Sequence, residues 1–96
     1  MIALIAVLKV QEGKGPEFEA VFLELAAKVR ANEPGNVFYQ LTKSRTEPDT
    51  YKVLELYKDQ DAVVAHGGSD HFKDLGRKMG AFLAGRPDVE QLDAVG

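Results

Sequence analysis

The chain of 96 residues contains no cysteine and no tryptophan. The missing thiols exclude disulfides, thiolate metal sites, iron–sulfur clusters and cysteine nucleophiles, and they fit a reducing compartment. Neither sign of charge is in large excess, because 12 basic and 15 acidic residues give a net charge of −3. This balance, without a block of like charges, disfavours nucleic acid or an anionic membrane as the main partner.

Long apolar runs are missing as well. The apolar start, residues 1–8, ends at Lys9, well short of the roughly 20 residues of a membrane-spanning helix. It also lacks the basic region that opens a signal peptide. We therefore expect a cytoplasmic protein that is not bound to a membrane. The length predicts a single domain over residues 1–96.

The spacing of apolar residues predicts the order β-α-β-β-α-β. Residues 2–10 are apolar at both alternating sets of positions, which indicates a strand covered on both faces. Residues 16–31 place apolar side chains about 3.6 positions apart, which indicates an amphipathic helix. The other predicted elements are strands at 36–44, 50–57 and 89–95, a short helix at 60–66 that ends in Gly67-Gly68, and a second helix after Ser69. The apolar side chains along one side of that second helix are Phe72, Leu75, Met79, Phe82 and Leu83.

This order is that of the ferredoxin-like α+β fold, in which helices cover a four-stranded antiparallel sheet. The helices cover only one face of such a sheet, yet the predicted strands are apolar on both faces. If the second face were left uncovered, its exposed apolar area would be larger than soluble monomers tolerate. We therefore expect a homodimer in which two sheets face each other as a dimeric α+β barrel. The alternative is that some of these residues lie at sheet edges.

Several stretches of the chain follow the sequence pattern of a known family. Residues 55–72 contain Glu-Leu-Tyr-Lys-Asp, Ala-Val-Val-Ala-His and Ser-Asp-His-Phe, and Glu33-Pro-Gly-Asn36 precedes them. In these stretches the sequence resembles the antibiotic biosynthesis monooxygenase (ABM) family of dimeric α+β barrel proteins, over nearly its whole length. That family includes cofactor-independent quinol and anthrone monooxygenases, heme-degrading enzymes and an isomerase of a phosphorylated sugar. The resemblance therefore implies a fold more firmly than a reaction.

Three titratable side chains are the candidate catalytic residues. His66 and His71 are the only histidines, and imidazole is the natural general base near neutral pH. The structural alternatives are a helix C-terminus for His66 and a surface position for His71. Glu55 falls on an otherwise apolar strand face and needs a partner there. Either it orients His66 through a hydrogen bond, or it forms an ion pair across a dimer.

A second group of residues has the composition of a pocket for a flat aromatic ligand. Its amide and hydroxyl groups can donate hydrogen bonds to a phenol or quinone oxygen, and its apolar members can form the walls. The alternative for each is an ordinary place in the core. The expected substrate-binding residues are Asn36, Phe38, Tyr39, Tyr51, Tyr57, Phe72 and Met79.

The sequence offers little that would hold a metal or a cofactor. His66 and His71 are five positions apart instead of the four of a helical metal pair, and Gly13-Lys-Gly15 lacks the third glycine of a dinucleotide fingerprint. The heme-degrading branch of the resembling family uses a first-strand asparagine and a tryptophan, and this chain has neither. We therefore expect no metal and no cofactor.

The resulting hypothesis is a cofactor-independent monooxygenase that oxidises a small, electron-rich, quinol-like aromatic with O2. One alternative is an isomerase that uses the same base on a small phosphorylated carbonyl compound. A cluster of lysine or arginine in the pocket would favour it. Another alternative is a non-catalytic dimeric protein that binds a small molecule, and a pocket filled by its own side chains would favour that assignment.

Overall fold

The computed structural model describes all 96 residues and contains four strands and three helices. The elements are β1 (Ile2–Lys9), α1 (Gly15–Asn32), β2 (Asn36–Lys43), β3 (Thr50–Tyr57), α2 (Gln60–Gly68), α3 (Asp70–Gly80) and β4 (Asp88–Asp93). The strands form one antiparallel sheet in the order β2-β3-β1-β4. The ferredoxin-like α+β fold predicted from the sequence is confirmed. No helix combines the length and the apolar character needed to cross a bilayer.

The core lies between the helices and one face of the sheet. Phe18, Phe22, Leu25 and Val29 of α1 are almost fully buried, because their spacing places them along one side of the helix. They pack against the side chains of β1, β2 and β3 that point toward the helices. This packing fixes α1 and therefore the position of the loop that follows it.

The other face of the sheet is not covered by any helix. Side chains alternate along a strand, so Ile5, Leu54 and Leu56 point away from the helices while their neighbours point toward them. Leu54 is 37% exposed, and Phe38 on the same face is 50% exposed. The two-sided apolar pattern of the strands thus leaves an apolar surface on this chain.

The junction between the second and third helices differs from the prediction. Gly67 and Gly68 do not stop α2, which continues to Gly68. Ser69 ends it, since its hydroxyl donates to the carbonyl of His66 at 2.7 Å. The same hydroxyl oxygen accepts from the N–H of Phe72 at 3.3 Å and so caps α3. One serine therefore forms the junction between the two helices that carry the histidines.

Other element bounds shift by a few residues. β1 ends at Lys9, and Val10 forms only an isolated bridge with Leu83. α3 ends at Gly80, so the predicted helical position of Phe82 lies in the following turn, where Phe82 packs against the core. β4 covers residues 88–93 instead of 89–95. None of these differences changes the order of the elements.

Candidate functional site

A cavity of about 940 Å³ lies between α3, the segment that leads to β4, and the helix-covered face of the sheet. Most of its wall is apolar, and the expected pocket residues Phe72 and Met79 line it together with Phe18 and Phe22. A volume of this size accepts a small aromatic molecule. Apart from lysine and arginine, the polar side chains that line the cavity are Tyr39, Glu55 and His66, one from each of three elements.

The sheet and α2 bring these three side chains together. Tyr39 of β2 lies directly opposite Glu55 of β3 in the strand register. Asp59 caps α2 by accepting from the N–H of Ala62 at 2.9 Å, and His66 follows two turns later on the buried side of the helix. Its ring centroid lies 5.4 Å from that of Tyr39 and 4.7 Å from that of Phe72.

Glu33, which follows α1, holds the imidazole of His66. Both carboxylate oxygens lie 3.0 Å from Nδ1, and the side chains of Glu33 and His66 are only 9% and 6% exposed. A carboxylate can only accept hydrogen bonds, so Nδ1 carries a hydrogen, and in the neutral ring Nε2 is the nitrogen with the free lone pair. Nε2 lies 3.9 Å from Glu55, beyond hydrogen-bond range. The expected orienting bond from Glu55 is therefore made by Glu33 instead.

His71 lies on the other side of the same carboxylate. Its Nε2 is 2.5 Å from Oε2 of Glu33, so one carboxylate faces two imidazoles. His71 does not line the cavity but a separate polar depression of about 400 Å³, which we call the outer cleft. The outer cleft is lined by residues 32–36, 58, 59, 61, 62, 65, 69 and 71.

Burial controls the acid–base properties of the remaining polar groups. Burial raises the pKa of Glu55, and the hydrogen bond from Tyr57 and the nearby His66 only partly offset this effect. The hydroxyl of Tyr57 donates to Oε1 of Glu55 at 2.7 Å. Burial and the charge of Glu55 raise the pKa of Tyr39 and of Tyr57 far above the ordinary value. Both hydroxyls are therefore protonated at neutral pH and able to donate, and that of Tyr57 donates to Glu55.

Comparison with known proteins identifies the family. Residues 1–78 match the family model for antibiotic biosynthesis monooxygenase. The chain belongs to the ABM family. It is 35% identical over 89 residues to YcnE of Bacillus subtilis, a suspected monooxygenase, and the match covers 93% of each chain. The resemblance seen in the sequence is thereby confirmed.

Solved structures agree with this assignment. A suspected antibiotic biosynthesis monooxygenase from Caulobacter crescentus is 59% identical, with a TM-score of 0.96 over 99% of this chain and 90% of that one. SnoaB of Streptomyces nogalater, a cofactor-independent oxygenase, is 22% identical, with a TM-score of 0.83 over 97% of this chain and 91% of that one. At that identity SnoaB shares the fold alone.

Two predicted binding residues of this ABM protein do not line the cavity. Phe38 points to the uncovered face of the sheet, because its neighbour Tyr39 takes the helix-covered side. Tyr51 is buried near the start of β3 and donates to Glu19 at 2.5 Å. Burial and the bond to Glu19 raise the pKa of Tyr51 to about 12. Neither side chain reaches a ligand in the cavity.

Two others lie behind the cavity wall. Asn36 lines the outer cleft, and its amide donates to the carbonyl of Phe38 at 3.2 Å. Tyr57 does not line the cavity but contacts two residues that do, since its hydroxyl donates to Glu55 and its ring packs against His66. Sequence reasoning leaves out Glu33 because a glutamate just after a helix looks like a surface residue. The available signal is its position in the Glu33-Pro-Gly-Asn36 stretch of the family pattern.

Gly35 locks the loop of Glu33 against α2. A β-carbon at this position would lie 2.5 Å from Cβ of Ala62, closer than any real contact. The carbonyl of Gly35 also accepts from the N–H of Lys58 at 2.9 Å. These contacts set the loop that carries Glu33 at a fixed distance from the helix that carries His66.

Proposed function

We propose that this ABM protein is a cofactor-independent monooxygenase that oxidises a small, electron-rich, quinol-like aromatic with O2. The observation that carries the proposal is the arrangement of His66. Its ring lines the apolar cavity, Glu33 holds Nδ1, and Nε2 is available as a base. Membership of the family supports a monooxygenase-like activity.

The reaction begins when Nε2 of His66 removes a proton from the ring hydroxyl or the adjacent carbon, and the electron pair stays on the substrate. The resulting anion gives one electron to O2, and the two radicals combine into a carbon-bound peroxide. The imidazolium then protonates the peroxide. The remaining hydrogen on the carbon that bears the peroxide then leaves as a proton, and its electron pair forms the carbonyl group. The O–O bond breaks, and the expelled hydroxide combines with a proton to give one water molecule.

The protein contributes position, charge and the exclusion of water. Glu33 fixes the orientation and tautomer of the base, as a carboxylate does in other histidine pairs. Glu55 lies 3.9 Å from Nε2 and stabilises the imidazolium by its charge when it is ionised. His71 has no contact with the cavity, which favours His66 over His71 as the base.

We also propose that two copies of the chain associate through the uncovered face of the sheet, in the cytoplasm. Ile5, Phe38, Leu54 and Leu56 place a continuous apolar surface there, and Phe38 and Leu54 are 50% and 37% exposed. A specific interface buries at least about 1,200 Å² in total. Sedimentation velocity at micromolar concentration tests this proposal, and a stable monomer contradicts it.

An isomerase of a small phosphorylated carbonyl compound is the second candidate. Lys73 and Arg86 line the cavity, and neither forms an ion pair with a carboxylate. Two unpaired cations in the same cavity as a base fit a phosphorylated ligand. The third alternative, a protein without catalysis, is less well supported because the cavity is not filled by its own side chains.

Oxygen uptake with 1,4-dihydroxynaphthalene tests the monooxygenase, with the enzyme-free rate subtracted. Replacing the base (His66→Ala) should lower kcat about 10²- to 10⁴-fold and change KM much less. Lys78→Ala, on the exposed side of α3, is the control and should keep the native rate. Full oxygen uptake by His66→Ala would show that the cavity only holds a substrate that is already ionised. Turnover of a phosphorylated ketose without oxygen uptake would favour the isomerase.

A further inference from the structure

The two histidines face different solvent spaces through one shared carboxylate. His66 lines the cavity, His71 lines the outer cleft, and Glu33 touches a ring nitrogen of each. The side chains are 6%, 14% and 9% exposed, respectively. The two rings therefore exchange protons with solvent through different spaces, His66 through the cavity and His71 through the outer cleft.

The shared carboxylate can balance only one imidazolium. Two protonated rings on a single carboxylate would leave one net positive charge in a poorly hydrated site, where like charges repel strongly. Around His66, the other ionisable groups are Glu55 at 3.9 Å and the hydroxyls of Tyr39 and Tyr57. Burial raises the pKa of Glu55 and so reduces the negative charge that it offers to His66, and its distance makes it a weaker partner than Glu33. Both tyrosines are neutral near pH 7 because burial raises the pKa of each.

Around His71, the groups that complete the outer cleft have mixed charge. Lys58, Asp59 and Asp61 line it, and none of them forms an ion pair with His71. All three are exposed, so solvent screens their effect on the ring. Glu33 is thus the dominant counter-charge for His71 and is the same group that holds His66.

We infer that Glu33 couples the two imidazoles, so that His71 releases a proton into the outer cleft when His66 takes one from a substrate in the cavity. His71 starts protonated on both nitrogens and keeps its Nε2 hydrogen bond to Glu33. When His66 gains its proton, His71 gives the hydrogen on its other ring nitrogen to water. When His66 returns the proton to the peroxide, His71 takes one up again.

In this scheme the net charge of the three groups stays constant through the reaction. His71 acts through Glu33 and is a positioning residue, in contrast to the base suggested by sequence alone. The link to a substrate rests on the proposed function. The coupling itself is a property of the protein without any ligand and is measured without turnover.

Nuclear magnetic resonance of the ¹⁵N-labelled imidazoles tests the coupling directly, since the chain has only two histidines. In the native protein the two rings should bind protons in two separate steps as pH falls. In His71→Gln, the amide can still donate to Glu33 but no longer takes up a proton. His66 of this variant should bind its proton about tenfold more tightly, because the competing cation is gone.

Lys58→Gln is the matched control, since it removes a positive charge from the outer cleft without touching Glu33. Its effect on the proton affinity of His66 should stay below about twofold. Equal proton affinity of His66 in the native protein and in His71→Gln would overturn the inference. So would simultaneous protonation of both rings in the native protein, a result that needs no variant to fold. The rate of oxygen uptake by His66→Ala tests only the proposed function. It does not bear on the coupling, which is measured without turnover.

Discussion

Removing the Glu33 carboxylate is the perturbation whose cost can be worked out most directly. Glu33→Ala leaves two ring N–H groups, one on His66 and one on His71, without acceptors. A buried donor without a partner costs about 1–3 kcal/mol. Because the His71 side chain is 14% exposed and can regain water, whereas that of His66 is 6% exposed, we expect a total loss of about 2–4 kcal/mol.

This loss is large beside the total stability of the fold. At about 0.05–0.15 kcal/mol per residue, a chain of 96 residues has a free energy of unfolding of roughly 5–14 kcal/mol. Urea unfolding followed by circular dichroism measures the difference, at one fixed protein concentration so that any association contributes equally. Glu24→Ala is the control, because Glu24 is exposed on α1 and should change stability by less than about 0.5 kcal/mol. Equal midpoints for the two variants would refute the role given to Glu33.

Three other variants test burial and pH dependence. The folded state raises the pKa of Glu55, so its ionisation destabilises the fold as pH rises above the ordinary carboxyl value of about 4. Glu55→Gln should therefore raise Tm at pH 8, with the gain vanishing near pH 4, and an unchanged Tm at pH 8 would contradict this. Leu4→Asp places a charge in the core, since Leu4 is 9% exposed, and should abolish the folded circular dichroism spectrum. Leu54→Asp lies on the uncovered sheet face and should fold but sediment as a monomer, so a dimeric Leu54→Asp protein would contradict the proposed interface.

Periodicity alone was enough to predict the fold. Alternation in the strands and the 3.6-residue spacing in residues 16–31 lead to the observed element order, because these patterns reflect which side of each element is buried. The stop at Gly67-Gly68 was predicted wrongly. Neither glycine has to adopt a positive φ there, and the hydroxyl of Ser69 provides the stronger signal for a helix boundary.

The site was less predictable, because it depends on contacts between distant segments. Glu33 and His66 are 33 positions apart, and no local pattern links them. Phe38 was assigned to the pocket on its chemistry, although the alternation with Tyr39 already places the two on opposite faces of the sheet. Tyr51 and Tyr57 lie on the same strand face as Glu55. The hydroxyl of Tyr51 donates to Glu19 and that of Tyr57 donates to Glu55, so neither hydroxyl points into the cavity.

The contact between Gly35 and Ala62 limits how this protein can change. A β-carbon at position 35 would lie 2.5 Å from Cβ of Ala62 but 3.6 Å from its Cα, which is an ordinary packing distance. An alanine at position 35 would therefore fit if position 62 lost its methyl group, and would otherwise force α2 away from the loop. The two positions together have room for one methyl group, so a side chain at position 35 should be accepted only when position 62 is glycine. Any redesign of the α2 surface must therefore treat residues 35 and 62 as a pair.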